Sequence, residues 1–137
     1  MGGGLKIGAV AAQSGLSVKT IRFYAESGLL EPVMGRSPSG YRLFTGAVFN
    51  RLAFIKRSQS LGLTLQEIQE LLNIHDGGDL PCGAIKARLE AKLADIQSQI
   101  AALAILQAEL EGILSAWQDQ PPAHLIEQTI CPNLQNS

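Results

Sequence analysis

The apolar positions between Pro81 and Trp117 repeat with a period of seven residues. One series consists of Cys82, Leu89, Ile96, Leu103, Leu110 and Trp117, and a second consists of Leu93, Ile100, Gln107 and Leu114. Together they give the alternating spacing of four and three that is typical of a helix whose apolar seam faces another helix. Because little chain follows Trp117 to cover the seam, we predict that residues 81–118 form a dimerisation helix.

Two shorter helical patterns come first in the chain. Apolar residues at positions 7, 10 and 11 predict a helix that ends at Gly15, where a glycine C-cap is favourable. Ser17 is a good N-cap for a second helix, from Val18 to about Ser27. Two short helices joined by a turn that contains a glycine predict a helix-turn-helix.

Turn residues and helix caps divide the chain between these helices and the long one. The density of Pro and Gly from position 32 to 40 predicts a hairpin with a loose tip. A third helix is predicted from about Thr45 to Leu61. The capping box formed by Thr64 and Glu67 starts a fourth helix, which runs to about Ile74.

Charge is distributed unevenly along the chain. Residues 1–63 contain eight basic and two acidic residues, a net charge of +6, whereas residues 64–137 contain three basic and ten acidic residues, a net charge of −7. The overall charge of −1 hides this difference. A basic front half joined to an acidic rear half indicates that only the front half meets a polyanion.

Other protein classes fit the sequence poorly. No apolar run approaches the roughly 18 residues that a membrane-spanning helix needs, and the N-terminus lacks an apolar signal region, so we expect a soluble cytoplasmic protein with no membrane partner. We find no nucleophile–base pair and no carboxylate dyad in a pocket-forming segment, so we do not expect an enzyme.

Several blocks in the front half resemble the MerR family of transcription regulators. They are Ile7 to Ala11, Ser17 to Tyr24, Gly28 to Leu30, Ser39 to Arg42 and Leu61 to Ile68, and together they extend from about Lys6 to Leu72. One departure is Ala25, where the family commonly has Glu. The resemblance implies a mainly α protein with a winged helix-turn-helix DNA-binding domain in residues 1–74 and a linker in 75–80. It further implies an antiparallel coiled-coil dimerisation helix in 81–118 and an effector-binding loop and tail in 119–137.

The resemblance also implies how such a chain meets DNA. The second helix would enter the major groove while the wing grips the flanking backbone of a promoter, and a homodimer would distort the DNA so that RNA polymerase can use it. We therefore predict eight DNA-binding residues: Lys19, Arg22, Tyr24, Arg36, Tyr41, Arg42, Lys56 and Arg57.

The two cysteines are candidates for metal ligands, redox groups or buried packing residues. As a helix, the chain from Cys82 to Trp117 spans roughly 52 Å, while the 14 residues from Trp117 to Cys131 reach at most about 50 Å. One subunit can therefore hardly bring its own cysteines together. Because the family pairs its long helices antiparallel, the resemblance implies that Cys82 of one subunit meets Cys131 of its partner.

Metal-sensing members of the family place ligand cysteines at these two positions. The resemblance thus implies a thiophilic divalent metal ion as inducer, with mercury favoured and zinc, cadmium or lead as alternatives, and with His124 as a candidate third donor. The family's middle cysteine is missing, and Ser115 and Trp117 stand in that region. Two other functions fit the sequence: a redox- or electrophile-responsive regulator that uses the same cysteines, and a DNA-bending protein without an inducer.

Overall fold

The computed structural model describes residues 4–135 and is mainly helical. Its helices and strands are α1 Ile7–Ser14, α2 Val18–Glu26, a 3₁₀ turn at Glu31–Val33, β1 Met34–Arg36, β2 Arg42–Phe44, α3 Val48–Ser60, α4 Leu65–Asp76, α5 Cys82–Ser115, α6 Ala123–Ile126 and α7 Pro132–Gln135. The predicted winged helix-turn-helix followed by a long helix is confirmed. Residues 1–3 and 136–137, which complete the first predicted domain and the predicted tail, lie outside the described residues.

The chain divides into two compact units, residues 1–89 and residues 90–137, and the division falls inside α5. The sequence predicts a linker between the two at residues 75–80. The structure shows that α4 continues to Asp76, and that Ala84 and Ile85 in the first turns of α5 pack against the core of the first unit. Arg88 adds ion pairs to Glu67, at 3.6 Å, and to Glu70. The first two turns of α5 therefore belong with the helix-turn-helix.

The turn between α1 and α2 follows from two residues. Gly15 ends α1 at φ 75°, a left-handed conformation that favours glycine, and its N–H donates to the carbonyl of Ala11. The Oγ of Ser17 accepts from the backbone N–H of Thr20 at 3.0 Å and caps α2. The residues that predicted the helix-turn-helix are those that make its turn.

The wing is a two-stranded antiparallel hairpin, with Met34 opposite Phe44 and Arg36 opposite Arg42. Leu5 adds a short bridge to Phe44 through backbone hydrogen bonds of 2.7 and 2.8 Å. Gly40, at φ 92°, shapes the tip of the hairpin. This bridge fastens the base of the wing to the segment that enters α1.

A single apolar core lies in the first unit. Its buried residues are Val10, Ile21, Tyr24, Ala25, Leu29, Leu30, Val33, Phe44, Val48, Leu52, Ile55, Leu63, Ile68, Leu71 and Leu72. They come from the helices α1 to α4, the turns after α2 and α3, the 3₁₀ turn and the wing, so one core fixes the mutual placement of all these elements.

A buried arginine ties the edge of this core together. Arg51 of α3 donates from Nε to the carbonyl of Leu29 at 2.5 Å and from its two terminal nitrogens to the carboxylate of Asp76, at 2.7 and 3.0 Å. These bonds join α3 to the residues after α2 and to the last residue of α4. The Arg51 side chain also lowers the pKa of Asp76, chiefly through these hydrogen bonds.

Side-chain amides organise the tail that follows α5. Asn133 accepts from the backbone N–H of Gln118 at 2.8 Å and donates to its carbonyl at 2.9 Å. The Oε1 of Gln135 accepts from the N–H groups of Ile130 and Cys131. The tail is therefore a loop closed on itself, with two short helices that the sequence did not predict.

No helix within residues 4–135 is long and apolar enough to cross a membrane.

Candidate nucleic-acid interface and effector segment

The exposed face of α2 is a stripe of four side chains: Lys19, Arg22, Phe23 and Glu26. Their spacing of three and four residues places them on one side of a helix. The opposite side is buried and carries Ile21, Tyr24 and Ala25. Of the predicted α2 contacts, Lys19 and Arg22 are therefore free to meet a ligand.

Tyr24 lies in the core instead. It is 5% exposed, and its hydroxyl donates to Oε1 of Gln59 on α3 at 2.5 Å. Burial raises the pKa of Tyr24, so the hydroxyl stays protonated as a donor at neutral pH. The structure thus corrects the expectation of a DNA-contacting tyrosine, because this side chain anchors α2 to α3.

A cationic cleft of about 270 Å³ joins α2 to the wing. Its lining residues are Lys6, Ile7, Arg22, Arg36, Tyr41 and Arg42. Four of these six carry a positive charge at neutral pH, which favours an anion such as a phosphate group. The structure therefore brings together four of the predicted residues and adds Lys6, which was not among the predicted contacts.

Contacts inside the cleft hold its side chains in place. The Nζ of Lys6 lies 4.7 Å from the centre of the Tyr41 ring, a cation–π contact, and Arg36 donates to the carbonyl of Gly40 at 2.8 Å. Arg42 lies 3.9 Å from the Glu26 carboxylate, and its Nε is buried without a hydrogen-bond partner among residues 4–135. An unpaired donor at this point leaves Arg42 with unused hydrogen-bonding capacity.

Lys56 and Arg57 are exposed on α3 but do not line this cleft. Lys56 borders a separate groove of about 370 Å³ whose other lining residues come from α1, the turn after it and α3. Arg57 donates to the Oγ of Ser60 at 3.4 Å. These two cations are thus exposed on α3, and the structure does not bring them together with the cleft of the wing.

The three predicted metal ligands lie at the start of α5 and in the tail. Cys82 is exposed at the first residue of α5, Cys131 is half-buried just before α7, and both thiols are free. His124 is exposed on α6. Within residues 4–135 of one chain, no group of three or more His, Cys, Asp or Glu side chains is placed to hold a metal ion.

The tail also borders a cleft of about 740 Å³ against the last turns of α5. The α5 wall includes the small residues Ala108 and Gly112, which leave room along the helix, and Ala116 follows directly after its end. Pro121, Pro122 and Leu125 belong to the tail wall. Asn133, which closes the loop, also lines it. The roles of Asn133 and Gln135 cannot be predicted from the sequence, because an amide that bonds to a distant backbone leaves no periodic signal.

Two family models match the chain. "MerR HTH family regulatory protein" matches residues 5–73, and "MerR, DNA binding" matches residues 49–113. Together they cover the helix-turn-helix, the wing and most of α5.

Known proteins are similar over most of the chain. The mercuric resistance operon regulatory protein of Pseudomonas fluorescens is 38% identical over 113 residues, which cover 82% of this chain and 76% of that protein. The crystal structure of the transcription regulator PbrR691 from Ralstonia metallidurans CH34 in complex with lead(II) aligns with a TM-score of 0.73 and 30% identity, over 96% of this chain and 98% of that one. HiNmlR, a MerR family regulator lacking the sensor domain and bound to promoter DNA, aligns with a TM-score of 0.53 and 28% identity, over 82% of this chain and 88% of that one.

The family matches agree with the exposed α2 stripe, the cationic wing cleft and the long helix. Regulators of this kind act by binding DNA and not by catalysing a reaction, as the sequence predicted. This chain therefore belongs to the MerR family of helix-turn-helix regulatory proteins and is a DNA-binding transcription regulator.

Proposed function

We propose that this protein is a homodimeric regulator that binds promoter DNA and distorts it in response to a thiophilic divalent metal ion. Mercury is the favoured inducer, and Cys82 of one subunit and Cys131 of the partner subunit are its ligands. The observation that carries the proposal is the pair of free thiols at the start of α5 and in the closed tail loop. Similar proteins named for mercuric resistance or solved with lead(II) support a thiophilic inducer.

The DNA-binding part of the proposal rests on the first unit. α2 enters the major groove with Lys19 and Arg22, and the wing cleft holds a backbone phosphate with Arg36, Tyr41 and Arg42. The four cations of the wing cleft provide affinity without sequence preference, whereas side chains on α2 can reach base edges and provide the preference. Lys56 and Arg57 provide further phosphate contacts from α3. The similar fold solved on promoter DNA supports this assignment.

The dimer part of the proposal rests on α5. None of its described residues is buried in the single chain, and its apolar residues leave large surfaces in water: Ile96 is 51% exposed, Ile100 61%, Leu103 63% and Leu114 67%. These are seam positions of the heptad pattern. A second copy of α5 packed along the seam would remove them from water, which is the main favourable term in such associations.

The donor chemistry supports mercury first. Thiolates are soft ligands, and two thiolates alone suit the linear coordination of mercury, whereas zinc needs four donors. His124 is the candidate third donor for lead, cadmium or zinc. The hydrogen bonds that Gln135 accepts from Ile130 and Cys131 hold the backbone around the second thiol before any ion binds. A fixed loop lowers the entropy that ion binding must overcome.

The first turns of α5 connect Cys82 to the DNA-binding unit. Ala84 and Ile85 pack on its core, and Arg88 pairs with Glu67 and Glu70 of α4. A change in the direction of α5 at Cys82 would therefore act directly on the helix-turn-helix. RNA polymerase is the proposed partner that uses the distorted promoter.

Ion binding by the reduced dimer tests the metal site. We expect two mercuric ions per dimer in the parent protein and in a Ser115→Ala control, and none bound tightly in either Cys82→Ser or Cys131→Ser. His124→Ala should leave mercury binding intact and weaken lead binding if the histidine is a third donor.

A mixed dimer tests whether the site is shared between subunits. A Cys82→Ser chain paired with a Cys131→Ser chain keeps one complete site of the proposed kind, so it should bind one ion per dimer. If each site lay within one chain, the mixed dimer would bind no ion tightly, and that result would refute the shared site.

The exposure of Cys82 also favours a second function, in which the same two thiols respond to oxidants or electrophiles. A non-reducing dimer band that needs both cysteines, together with no tight metal binding, would establish the redox regulator in place of the metal sensor. Unchanged transcription in both serine variants would leave a DNA-bending protein without an inducer.

A further inference from the structure

Phe23 stands out on the exposed face of α2. It is 49% exposed, which makes it the most exposed aromatic side chain within residues 4–135. The core on the other side of α2 is already filled by Ile21, Tyr24 and Ala25. Packing inside the subunit therefore gives no reason for a large apolar ring at this position.

The neighbours of Phe23 define the surface to which it belongs. Lys19 and Arg22 flank it on the same stripe of α2, and Arg22 reaches the cationic wing cleft. Glu26, the fourth side chain of the stripe, lies 3.9 Å from Arg42 of the wing. An apolar ring on a face whose charged groups are mostly cations matches the major groove, where phosphates surround base edges. No exposed ring is needed for phosphate contact alone.

The ring of Phe23 contacts the core through Tyr24. Its centre lies 6.0 Å from that of Tyr24 at an interplanar angle of 50°, a favourable tilted aromatic pair. Tyr24 is held in turn by its hydrogen bond to Gln59. The C-terminal turn of α2 is closed by Ser27, whose Oγ donates to the carbonyl of Phe23 at 2.7 Å. Phe23 is thus presented on a rigid support.

We propose that Phe23 is a specificity-determining residue that contacts the C5 methyl group of a thymine in the major groove. Phenylalanine has no hydrogen-bonding group, so it cannot donate to a phosphate or to a polar base edge. The thymine methyl is the one apolar group that the standard bases display in the major groove. The inference rests on the proposed placement of α2 in that groove.

Deoxyuridine, which lacks only this methyl group, is the probe that tests the contact. Binding sites are first selected from random double-stranded DNA with the full-length dimer, and each thymine of the selected site is then replaced by deoxyuridine. At one thymine in each half-site we expect the replacement to weaken binding by the parent protein about fourfold, which corresponds to about 0.8 kcal/mol for one buried methyl group.

Variants assign that effect to the ring. In Phe23→Ala the thymine and deoxyuridine sites should bind equally, and Phe23→Leu should keep part of the difference. Leu61→Ala, which shortens a side chain of similar exposure, 43%, outside α2, should keep the full difference. Circular dichroism checks that the variants fold. If Phe23→Ala does not fold, Phe23→Leu takes its place in the comparison of thymine and deoxyuridine sites.

Two results would overturn the inference. The first is that no replacement of a thymine by deoxyuridine weakens DNA binding by the parent protein. The second is that the Phe23 variants keep the full difference in affinity between thymine and deoxyuridine sites. Lys19→Ala and Arg22→Ala separate this failure from that of the proposed DNA interface. If they lose affinity while the thymine effect is absent, α2 still binds DNA and Phe23 alone was misassigned. If neither changes binding, α2 is not the DNA helix, and both proposals fail.

Discussion

The two units of this chain reach their structures in different ways. In residues 4–89, fifteen apolar side chains are buried in one core, whereas none of the described residues from 90 to 135 is buried. The first unit buries its apolar side chains against one another, whereas the second leaves the apolar seam of α5 exposed to water. Sequence that is equally apolar can thus specify a self-contained domain or a surface that needs a partner, and the spacing of the apolar positions decides which.

Breaking the seam should have the largest effect. The double variant Ile100→Asp, Leu103→Asp carries both substitutions in each subunit. It places four charges in the proposed dimer interface and removes four apolar side chains, so the free energy of dimerisation should weaken by about 6 kcal/mol or more. Sedimentation should show monomers, while the first unit keeps its helical circular dichroism. Ser98→Asp, off the seam, is the control, and a dimer that survives the double substitution would refute the seam.

A cavity in the core should act on the first unit alone. Phe44 is fully buried, so Phe44→Ala should destabilise the protein by about 3–5 kcal/mol in denaturant unfolding. The loss should be the same in the monomeric seam variant, because the core lies within one chain. Leu80→Ala, at a side chain that is 82% exposed, provides the contrast and should change stability by less than about 0.5 kcal/mol.

The Arg51–Asp76 pair should make the free energy of unfolding of the first unit depend on pH in the acid range. Because folding lowers the pKa of Asp76, the pair stabilises the protein above the unfolded pKa of about 3.9, and this stabilisation is lost as the pH falls through the lower folded value. Asp76→Asn should cost about 1.5–3 kcal/mol at pH 7 and flatten that acid slope. An equal acid slope in Asp76→Asn and parent protein would argue against the assignment.

The smallest effect concerns the wing cleft. Arg42→Ala should weaken DNA binding and reduce the slope of log affinity against log salt by about 1, with little change in the preferred site. Titrations at several salt concentrations measure this slope. The same substitution should leave dimerisation untouched, since Arg42 lies in the first unit, and a changed sequence preference would mean that Arg42 contacts bases.

Local signals predicted most of the first unit because they act over three or four residues. Gly15, Ser17 and the Thr64–Glu67 box each end or begin a helix within one residue of the predicted place. Tyr24 was misassigned for the same reason. Its residue type and its position on α2 suit DNA contact, but the core buries its ring, and its hydroxyl bonds to Gln59, which lies 35 positions away.

The sequence by itself determined the order of the helices, the heptad seam and the separation of charge, because periodicity, caps and composition are properties of neighbouring residues. The tertiary structure alone decided that Tyr24 turns inward while Phe23 faces out, that Arg51 joins Leu29 to Asp76, and that Asn133 closes the tail on Gln118. Each of these contacts joins residues that are far apart in the chain. The contacts of Tyr24 and Arg51 form only when the first unit packs, because burial makes an unpaired polar group costly and so selects its partner. The contact of Asn133 is exposed, and it forms because the tail folds back on the residues that follow α5.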